Sequence, residues 1–192
     1  MENIKNNIKN ENSLGDAYCP SILPSVPLKP LKEIEKSIQK KYRSELWSPF
    51  IKALKDFEMV RDGDKVAVAI SGGKDSLLLS KLFQELKRAS NTEFEVVFIS
   101  MNPGFNHINL KNLKKNLDYL NIPCEIYNDN IFDSAEQIAK DYPCYMCAKI
   151  RRGSLYTKAT SLGCNKLALG HHFDDVIETT LMSMFYMGKF ET

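Results

Sequence analysis

The sequence predicts an α/β fold in which an open parallel sheet carries helices on both faces. Four short apolar segments of strand length alternate with longer segments in which apolar residues recur at helical spacing. Strands joined by helical crossovers form parallel sheets that are covered on both sides. The 192 residues, 43% hydrophobic and 26% charged, also match the composition of a soluble globular domain with an extension.

The first 62 residues are predicted to precede the sheet as an arm and a helical segment. Residues 1–30 form an extended arm, because the first fifteen are polar without periodicity and the next fifteen contain four prolines. In residues 31–62, apolar residues recur at helical spacing from Leu31 to Leu46, and Ser48-Pro49 ends that helix and starts another. The second helix is expected to bury Phe50, Ile51, Leu54 and Phe57.

Residues 63–192 are predicted to form the sheet domain. Its strands are expected at 65–70, 94–100, 124–127 and 166–169, and its helices at 76–89, 109–120, 131–140, 147–162 and 174–187. The first of these helices has a stripe that is expected to face the core, made of Leu78, Leu82, Leu86 and Ala89. Because ligands bind at the carboxyl ends of parallel strands, segments 71–76 and 170–175 are expected to face one crevice.

Segment 71–76, Ser-Gly-Gly-Lys-Asp-Ser, follows the first strand and predicts a phosphate-binding loop. The glycines let the backbone approach a ligand, and the N–H groups and dipole of the next helix favour an anion. The spacing differs from the Walker A and dinucleotide-binding patterns, and an ordinary glycine-rich turn is the alternative. A carboxylate and a phosphate repel each other, so Asp75 indicates a further group at this site, such as a metal ion or a substrate amine or hydroxyl. The predicted cofactor-binding residues here are Ser71, Gly72, Gly73, Lys74, Asp75 and Ser76.

A second polar cluster follows the last predicted strand, at 170–179. It contains two adjacent histidines, His171 and His172, and two adjacent carboxylates, Asp174 and Asp175. The cluster could hold Mg²⁺ on ATP phosphates or transfer protons. Acidic residues in a first helical turn also complement the helix dipole, which is the structural alternative.

The chain has five cysteines, Cys19, Cys124, Cys144, Cys147 and Cys164. An odd number, with no secretory signal at the N-terminus, indicates a reducing cytoplasm and ligand or reactive thiols. The pair Cys144-x-x-Cys147 suits a redox pair, half of a zinc site or two iron–sulfur ligands.

Arg151 and Arg152 lie one turn after the cysteine pair and are predicted to bind RNA phosphates, with a solvated helix face as the alternative. The net charge of +2 gives no general argument for nucleic acid, so any RNA contact must be local. No apolar run approaches the ~20 residues that span a bilayer, so no membrane partner is expected.

Three motifs together resemble the PP-loop enzymes that modify tRNA, and most closely the tRNA 2-thiocytidine synthetases. They are SGGKDS at 71–76, CYMCAKIRRGSLY from Cys144, and LGHHFDDVIET from Leu169 followed by MFYMGK. The similarity extends from about Phe57 to Lys189. It implies a PP-loop fold, of the HUP type and Rossmann-like.

The resemblance implies that ATP with Mg²⁺ binds at 71–76 and at Gly170 and His171, and that a cytidine carbonyl in the tRNA anticodon loop is adenylated. Sulfur then displaces AMP, delivered through a [4Fe-4S] cluster held by three cysteines, of which Cys144 and Cys147 match two. Asp174 and Asp175 of the second polar cluster are the possible ligands for Mg²⁺. The catalytic set so implied is Asp75, Cys144, Cys147 and Asp175. The partners are tRNA, a sulfur donor such as a cysteine desulfurase, and a second copy in a homodimer.

Two departures from the family pattern stand out. Family members continue past the position of Thr192 with a further strand and the third cluster cysteine, so a missing C-terminal part is expected. Cys124 or Cys164 could in principle approach the cluster site in place of that third cysteine. Segment 100–105 lacks the acidic residue that relatives often carry beside adenosine. The alternative functions are a lysidine-synthetase type, against which the cysteine pair speaks, and a non-catalytic nucleotide- or metal-binding module.

Overall fold

A four-stranded parallel sheet forms the centre of the protein. The computed structural model describes residues 27–129 and 143–190, with the side chains of the second range described from 149 onward. The strand order is β3-β2-β1-β4, with β1 at Lys65–Ala69, β2 at Glu95–Asn102, β3 at Cys124–Asn128 and β4 at Lys166–Ala168. The predicted α/β fold with a parallel sheet is confirmed, and each predicted strand is present within two residues of its expected bounds.

Six α-helices lie in the described part of the chain. They are α1 at Leu31–Gln39, α2 at Ser48–Asp56, α3 at Lys74–Ala89, α4 at His107–Leu120, α5 at Pro143–Ser161 and α6 at Phe173–Met182. A π-helical turn, Arg43–Trp47, joins α1 to α2, and another, Ser183–Met187, follows α6. The helix expected at 131–140 lies outside the described residues. None of the described helices is long and apolar enough to cross a membrane.

The hydrophobic core on one face of the sheet contains more buried residues than the core on the other face. On one face Val66 and Val68 of β1, and Ile70 directly after it, pack with buried residues of α1 to α4. On the other, Ala67 and Ala69 face Ala159 and Leu155 of α5. Alternate residues of a strand point to opposite faces, and the small alanine side chains let α5 lie close to the sheet. Helices therefore cover both faces, as expected.

The N-terminal helices differ from the prediction in two places. The helix that starts at Leu31 ends at Gln39 and does not run on to Leu46, because the π-helical turn rotates the chain and buries Trp47 against Phe50. Phe57 is 73% exposed instead of buried, because α2 ends one residue before it. Ala89, expected in the core stripe of α3, is also exposed at the helix end.

A buried ion cluster fixes α1 on the sheet domain. The ammonium of Lys81, which is 2% exposed, lies 2.7 Å from Glu35 Oε1 and 3.2 Å from the carbonyl oxygen of Leu120. Arg88 contacts both Glu35 and Glu85. Burial opposes ionisation of Glu35, but hydrogen bonds from Lys81 and Arg88 outweigh it and lower the pKa of this carboxyl. Charges on α1 and α3 are thereby paired, and the ammonium of Lys81 is held away from water.

Candidate functional site

The loop between β1 and α3 turns on one glycine. Gly72 has φ +91°, in the left-handed region that other residues rarely adopt. Gly73 has φ −74° and precedes the first residue of α3, so its conformation does not require glycine. The chain thus leaves the buried end of β1 and enters the helix within four residues, which places the helix N-terminus at the carboxyl edge of the sheet.

The hydroxyl of Ser76 holds this loop together from inside. It accepts hydrogen bonds from the N–H and the hydroxyl of Ser71, both at 3.2 Å, and donates to the carbonyl of Gly73 at 2.9 Å. The first backbone bond of α3 runs from the N–H of Leu77 to Gly73. The amides of residues 74–76 therefore have no partner within the helix and point out of its N-terminus, which is a ready site for an anion.

Lys74 and Asp75 pair with each other at the mouth of the loop. The ammonium of Lys74 lies 2.9 and 3.2 Å from the two carboxylate oxygens of Asp75. This hydrogen bonding lowers the pKa of Asp75, so its carboxyl is ionised at neutral pH.

A cleft of about 310 Å³ opens over this loop. Three segments contribute to its lining: the loop itself, with Ser71, Gly73 and Asp75; the residues after β4, with Gly170 and His171; and α5, with Arg151, Arg152 and Leu155. The expectation that the segments after β1 and β4 face one crevice is confirmed for Gly170 and His171. Neither Asp174 nor Asp175 is among the residues that line the cleft.

Gly170 packs directly against the phosphate loop. A Cβ atom at this position would lie 3.0 Å from both Cα and N of Ser76 and 3.2 Å from the carbonyl carbon of Asp75. These are backbone atoms of the phosphate loop and cannot turn aside. Glycine at 170 therefore lets the end of β4 touch the start of α3 directly, and this contact sets one side of the cleft.

The second polar cluster caps α6. His172 precedes the helix, and its backbone N–H donates to Asp175 Oδ2 at 2.8 Å; its Nδ1 lies 3.6 Å from the same oxygen. Among the residues that the structure describes, no three His, Cys, Asp or Glu side chains are grouped closely enough to hold a metal ion. The magnesium role of Asp174 and Asp175 stays a prediction, and Asp75 is the acidic residue that lines the cleft.

Cys144 and Cys147 lie in the first two turns of α5. The helix places Arg151 at the cleft and ends near the amino end of β1, where the N–H of Asn165 donates to the carbonyl of Lys65. It therefore runs from the carboxyl to the amino edge of the sheet. With a rise of about 1.5 Å per residue, the two cysteine positions lie about 6 and 10 Å beyond Arg151 on the side of the cleft.

The expectation that Cys124 or Cys164 could approach this pair is wrong within one chain. Cys124 packs on the face of the sheet that α1 to α4 cover, whereas α5 covers the other face. Burial raises the pKa of its thiol to about 12. Cys164 lies beyond the C-terminal end of α5, a helix of 19 residues, and so about 28 Å from its start. The described residues offer no third thiol at this edge.

Sequence reasoning missed how the rotation of α5 is fixed. Ser154 donates a hydrogen bond to the carboxylate of Asp129, and Leu155 and Ala159 pack into the core. Continuing that buried stripe one turn towards the helix start brings Arg151 and Arg152 over the edge of the sheet. The i, i+4 spacing of Arg151, Leu155 and Ala159 was the available signal.

Comparison with known proteins identifies relatives of this chain. A family model described as the PP-loop domain matches residues 44–190. The tRNA-cytidine(32) 2-sulfurtransferase of Pelobacter propionicus is 41% identical over 141 residues, which cover 72% of this chain and 52% of that protein. The enzyme of the same name from Geobacter sulfurreducens is 38% identical over 140 residues, covering 71% and 54%.

The chain spans about half the length of these curated relatives. Among solved structures, it is similar to the U34-tRNA thiolase NcsA from Methanococcus maripaludis, solved with its [4Fe-4S] cluster. The TM-score is 0.58 at 24% sequence identity, with 83% of this chain and 50% of that chain covered. This likeness concerns the fold. The resemblance drawn from the three sequence motifs is confirmed by the curated relatives.

Proposed function

The chain belongs to the PP-loop family, and we propose that it binds ATP at residues 71–76 and uses it to thiolate a cytidine of tRNA. The observation that carries the proposal is one cleft, which is lined by the phosphate loop, the end of β4 and the arginines of α5. The same helix, α5, begins with the cysteine pair. The names of the curated relatives support the substrate and the reaction.

The start of α3 binds the phosphates of ATP. The amides of residues 74–76 and the positive end of the helix dipole attract an anion, and Gly72 and Gly73 keep side chains out of its way. Gly170 and His171 close the other side. The ionised carboxylate of Asp75 would repel phosphate on its own, so its place in the lining supports a bridging Mg²⁺. Magnesium sites at phosphates use one or two carboxylates in this way, and Asp174 and Asp175 are the further candidates.

Adenylation turns a poor leaving group into a good one. The carbonyl oxygen of the cytidine attacks the α-phosphorus of ATP, the bond from that phosphorus to the β-phosphate oxygen breaks, and pyrophosphate leaves with the electron pair. A sulfide then adds to the activated ring carbon, and AMP leaves with the former carbonyl oxygen. The loop amides stabilise the charge that develops on the phosphates, and Mg²⁺ would share that charge when bound.

Cys144 and Cys147 are the proposed thiol ligands for a [4Fe-4S] cluster. A cluster with one iron free of cysteine could carry the sulfide. The fit is incomplete, since three thiols are needed and neither Cys124 nor Cys164 can join the pair. The third ligand must come from outside the described residues. The proposed partners are tRNA and a cytoplasmic sulfur donor such as a cysteine desulfurase, with a homodimer as the proposed assembly.

The test is an anaerobic reaction of the protein with ATP, Mg²⁺, sulfide and unmodified tRNA, followed by mass spectrometry of the nucleosides and assay of pyrophosphate. We expect 2-thiocytidine and tRNA-dependent release of pyrophosphate. Asp75→Ala should lower pyrophosphate release by at least about 100-fold, the loss typical of one electrostatic contributor. Asp118→Ala, on the exposed side of α4, is the control and should not change it. Unchanged release in Asp75→Ala would remove Asp75 from the mechanism.

The cysteine pair is tested separately. Cys147→Ala should lose iron, acid-labile sulfide and 2-thiocytidine while ATP still binds. A cluster spectrum retained in this variant would show that the ligand assignment is wrong.

The lack of a third thiol near the cysteine pair among the described residues favours one second candidate function, a nucleotide-binding module that does not transfer sulfur by itself. This version predicts ATP binding without tRNA-dependent AMP formation. The pyrophosphate assay on the unaltered protein separates the two.

A further inference from the structure

We propose that Arg151 and Arg152 form a binding site for the terminal phosphates of ATP and for the pyrophosphate that leaves. The proposal rests on the proposed function, because it assigns a role in that same cleft. The sequence predicts RNA contacts for these two residues, and the structure brings both to the cleft of the phosphate loop.

The position of the arginines follows from the packing of α5. Leu155 both lines the cleft and packs into the core, while Ala159, one turn further on, is 4% exposed. These contacts fix the rotation of the helix, and the residues one turn before Leu155 then overhang the carboxyl edge of the sheet. The hydrogen bond from Ser154 of α5 to Asp129, which follows β3, constrains the same part of the helix. The guanidinium groups are therefore carried by a helix whose rotation is set by buried contacts.

The charged side chains that line the cleft favour an anionic ligand. Its cationic lining residues are Arg151 and Arg152, and its acidic one is Asp75. Lys74, the cation of the loop motif, is absent from the lining; its ammonium pairs with Asp75 and its side chain is 84% exposed. Within the described part of the chain, no carboxylate lies within salt-bridge distance of either arginine.

Arginine has the chemistry that this position needs. Its planar guanidinium donates two parallel hydrogen bonds to phosphate oxygens and keeps its charge at any physiological pH. A triphosphate held at the start of α3 would extend its β- and γ-phosphates along the cleft towards α5. Two guanidinium groups there would offset Asp75 and stabilise the negative charge that passes to pyrophosphate when the α–β bond breaks. AMP has no such phosphates and would not use the pair.

The experiment compares ligands on one protein. Binding of ATP, inorganic pyrophosphate, AMP and unmodified tRNA is measured by calorimetry or filter assay for the unaltered chain and the double variant Arg151→Ala/Arg152→Ala. Lys149→Ala is the control, because Lys149 is exposed on the same helix and does not line the cleft. The variant Arg151→Lys/Arg152→Lys keeps the charge and loses the paired donors.

We expect the double alanine variant to bind ATP and pyrophosphate about 10- to 100-fold more weakly, the effect of losing hydrogen bonds to charged groups. AMP and tRNA affinity should stay within about twofold, and the lysine variant should recover part of the loss. The Lys149→Ala control should match the unaltered protein. Circular dichroism of each variant confirms that the fold is retained.

Four results would overturn the proposal. If the double variant loses tRNA affinity, with a shallower salt dependence, while ATP affinity is unchanged, the pair binds RNA. If ATP and AMP affinities fall equally, the arginines do not act on the terminal phosphates. If the unaltered chain binds no ATP at all, the proposed function fails together with this inference, whereas normal ATP binding in the variant rejects the inference alone.

Discussion

Replacing Gly170 by alanine tests whether the end of β4 must touch the phosphate loop. The added Cβ would lie 3.0 Å from Cα and N of Ser76, whereas carbon atoms in good contact are about 3.5–4.0 Å apart. The two backbone segments must therefore separate by a few tenths of an ångström. No side chain can yield instead, because the opposing atoms belong to the loop backbone.

The separation has two expected consequences. Forcing a methyl group into a packed contact costs about 1–3 kcal/mol of unfolding free energy. A displacement of about 1 Å at a reacting centre costs about 100-fold in rate, so a shift of a few tenths of an ångström should lower AMP formation by about 3- to 10-fold. ATP affinity should fall as well, since Ser76 carries one of the amides at the helix start.

Gly153→Ala is the matched control. It adds the same methyl group beside Arg152 in α5, and nothing lies within 4 Å of the added Cβ. Alanine in a helix interior is more favourable than glycine by roughly 0.5–1 kcal/mol, so this variant should be slightly more stable and fully active. Urea unfolding and the AMP assay measure both effects. Gly170→Ala with normal stability and normal AMP formation would refute the packing argument.

Three further predictions concern the rest of the protein. Hydrogen bonds, chiefly from Lys166, lower the pKa of Asp64 from 3.8 to about 2, so its contribution to stability is present above pH 4 and is lost as the pH falls towards 2. Asp64→Asn should cost about 2 kcal/mol at pH 7 and progressively less below pH 4 in urea titrations, and a pH-independent cost would contradict this. Lys81→Met should cost about 1–3 kcal/mol, because it removes one of the two cations that pair with Glu35 and leaves only Arg88, and Glu35→Gln in the same chain should restore part of that loss; no restoration would mean that the lost packing of the Lys81 side chain accounts for the whole cost. Burial of Cys124, which raises its pKa from 9.0 to about 12, leaves about 1,000-fold less thiolate, so native Cys124 should resist iodoacetamide at pH 8 while urea-unfolded chain reacts, as peptide mass spectrometry can show.

Much of the fold can be predicted from sequence, because buried parallel strands appear as continuous apolar runs. Val66 to Ile70 is such a run, and the polar and glycine residues directly after it mark the carboxyl edge where ligands bind. The phosphate loop and the segment after β4 could therefore be assigned to one crevice without coordinates. The faces of the sheet could not be assigned in this way, and Cys124 was left as a candidate ligand although it lies on the far face from α5.

Contacts between distant segments account for the other errors. The π-helical turn before Ser48 depends on Trp47 and Phe50 packing towards Phe83, which no local spacing reveals. The burial of Lys81 depends on a carboxylate 46 residues away. The position of Arg151 at the cleft depends on Leu155 and Ala159 packing into the core. Their i, i+4 spacing places the three residues on one face of α5, but it does not show which part of the fold that face meets.

The central claim is that the cleft splits ATP between its α- and β-phosphates on behalf of tRNA. The most direct measurement is the product formed from ATP labelled at the α-phosphate, with and without unmodified tRNA, separated by thin-layer chromatography. We expect labelled AMP in amounts that depend on tRNA, with one pyrophosphate for each AMP. Labelled ADP, or AMP formed equally without tRNA, would contradict it.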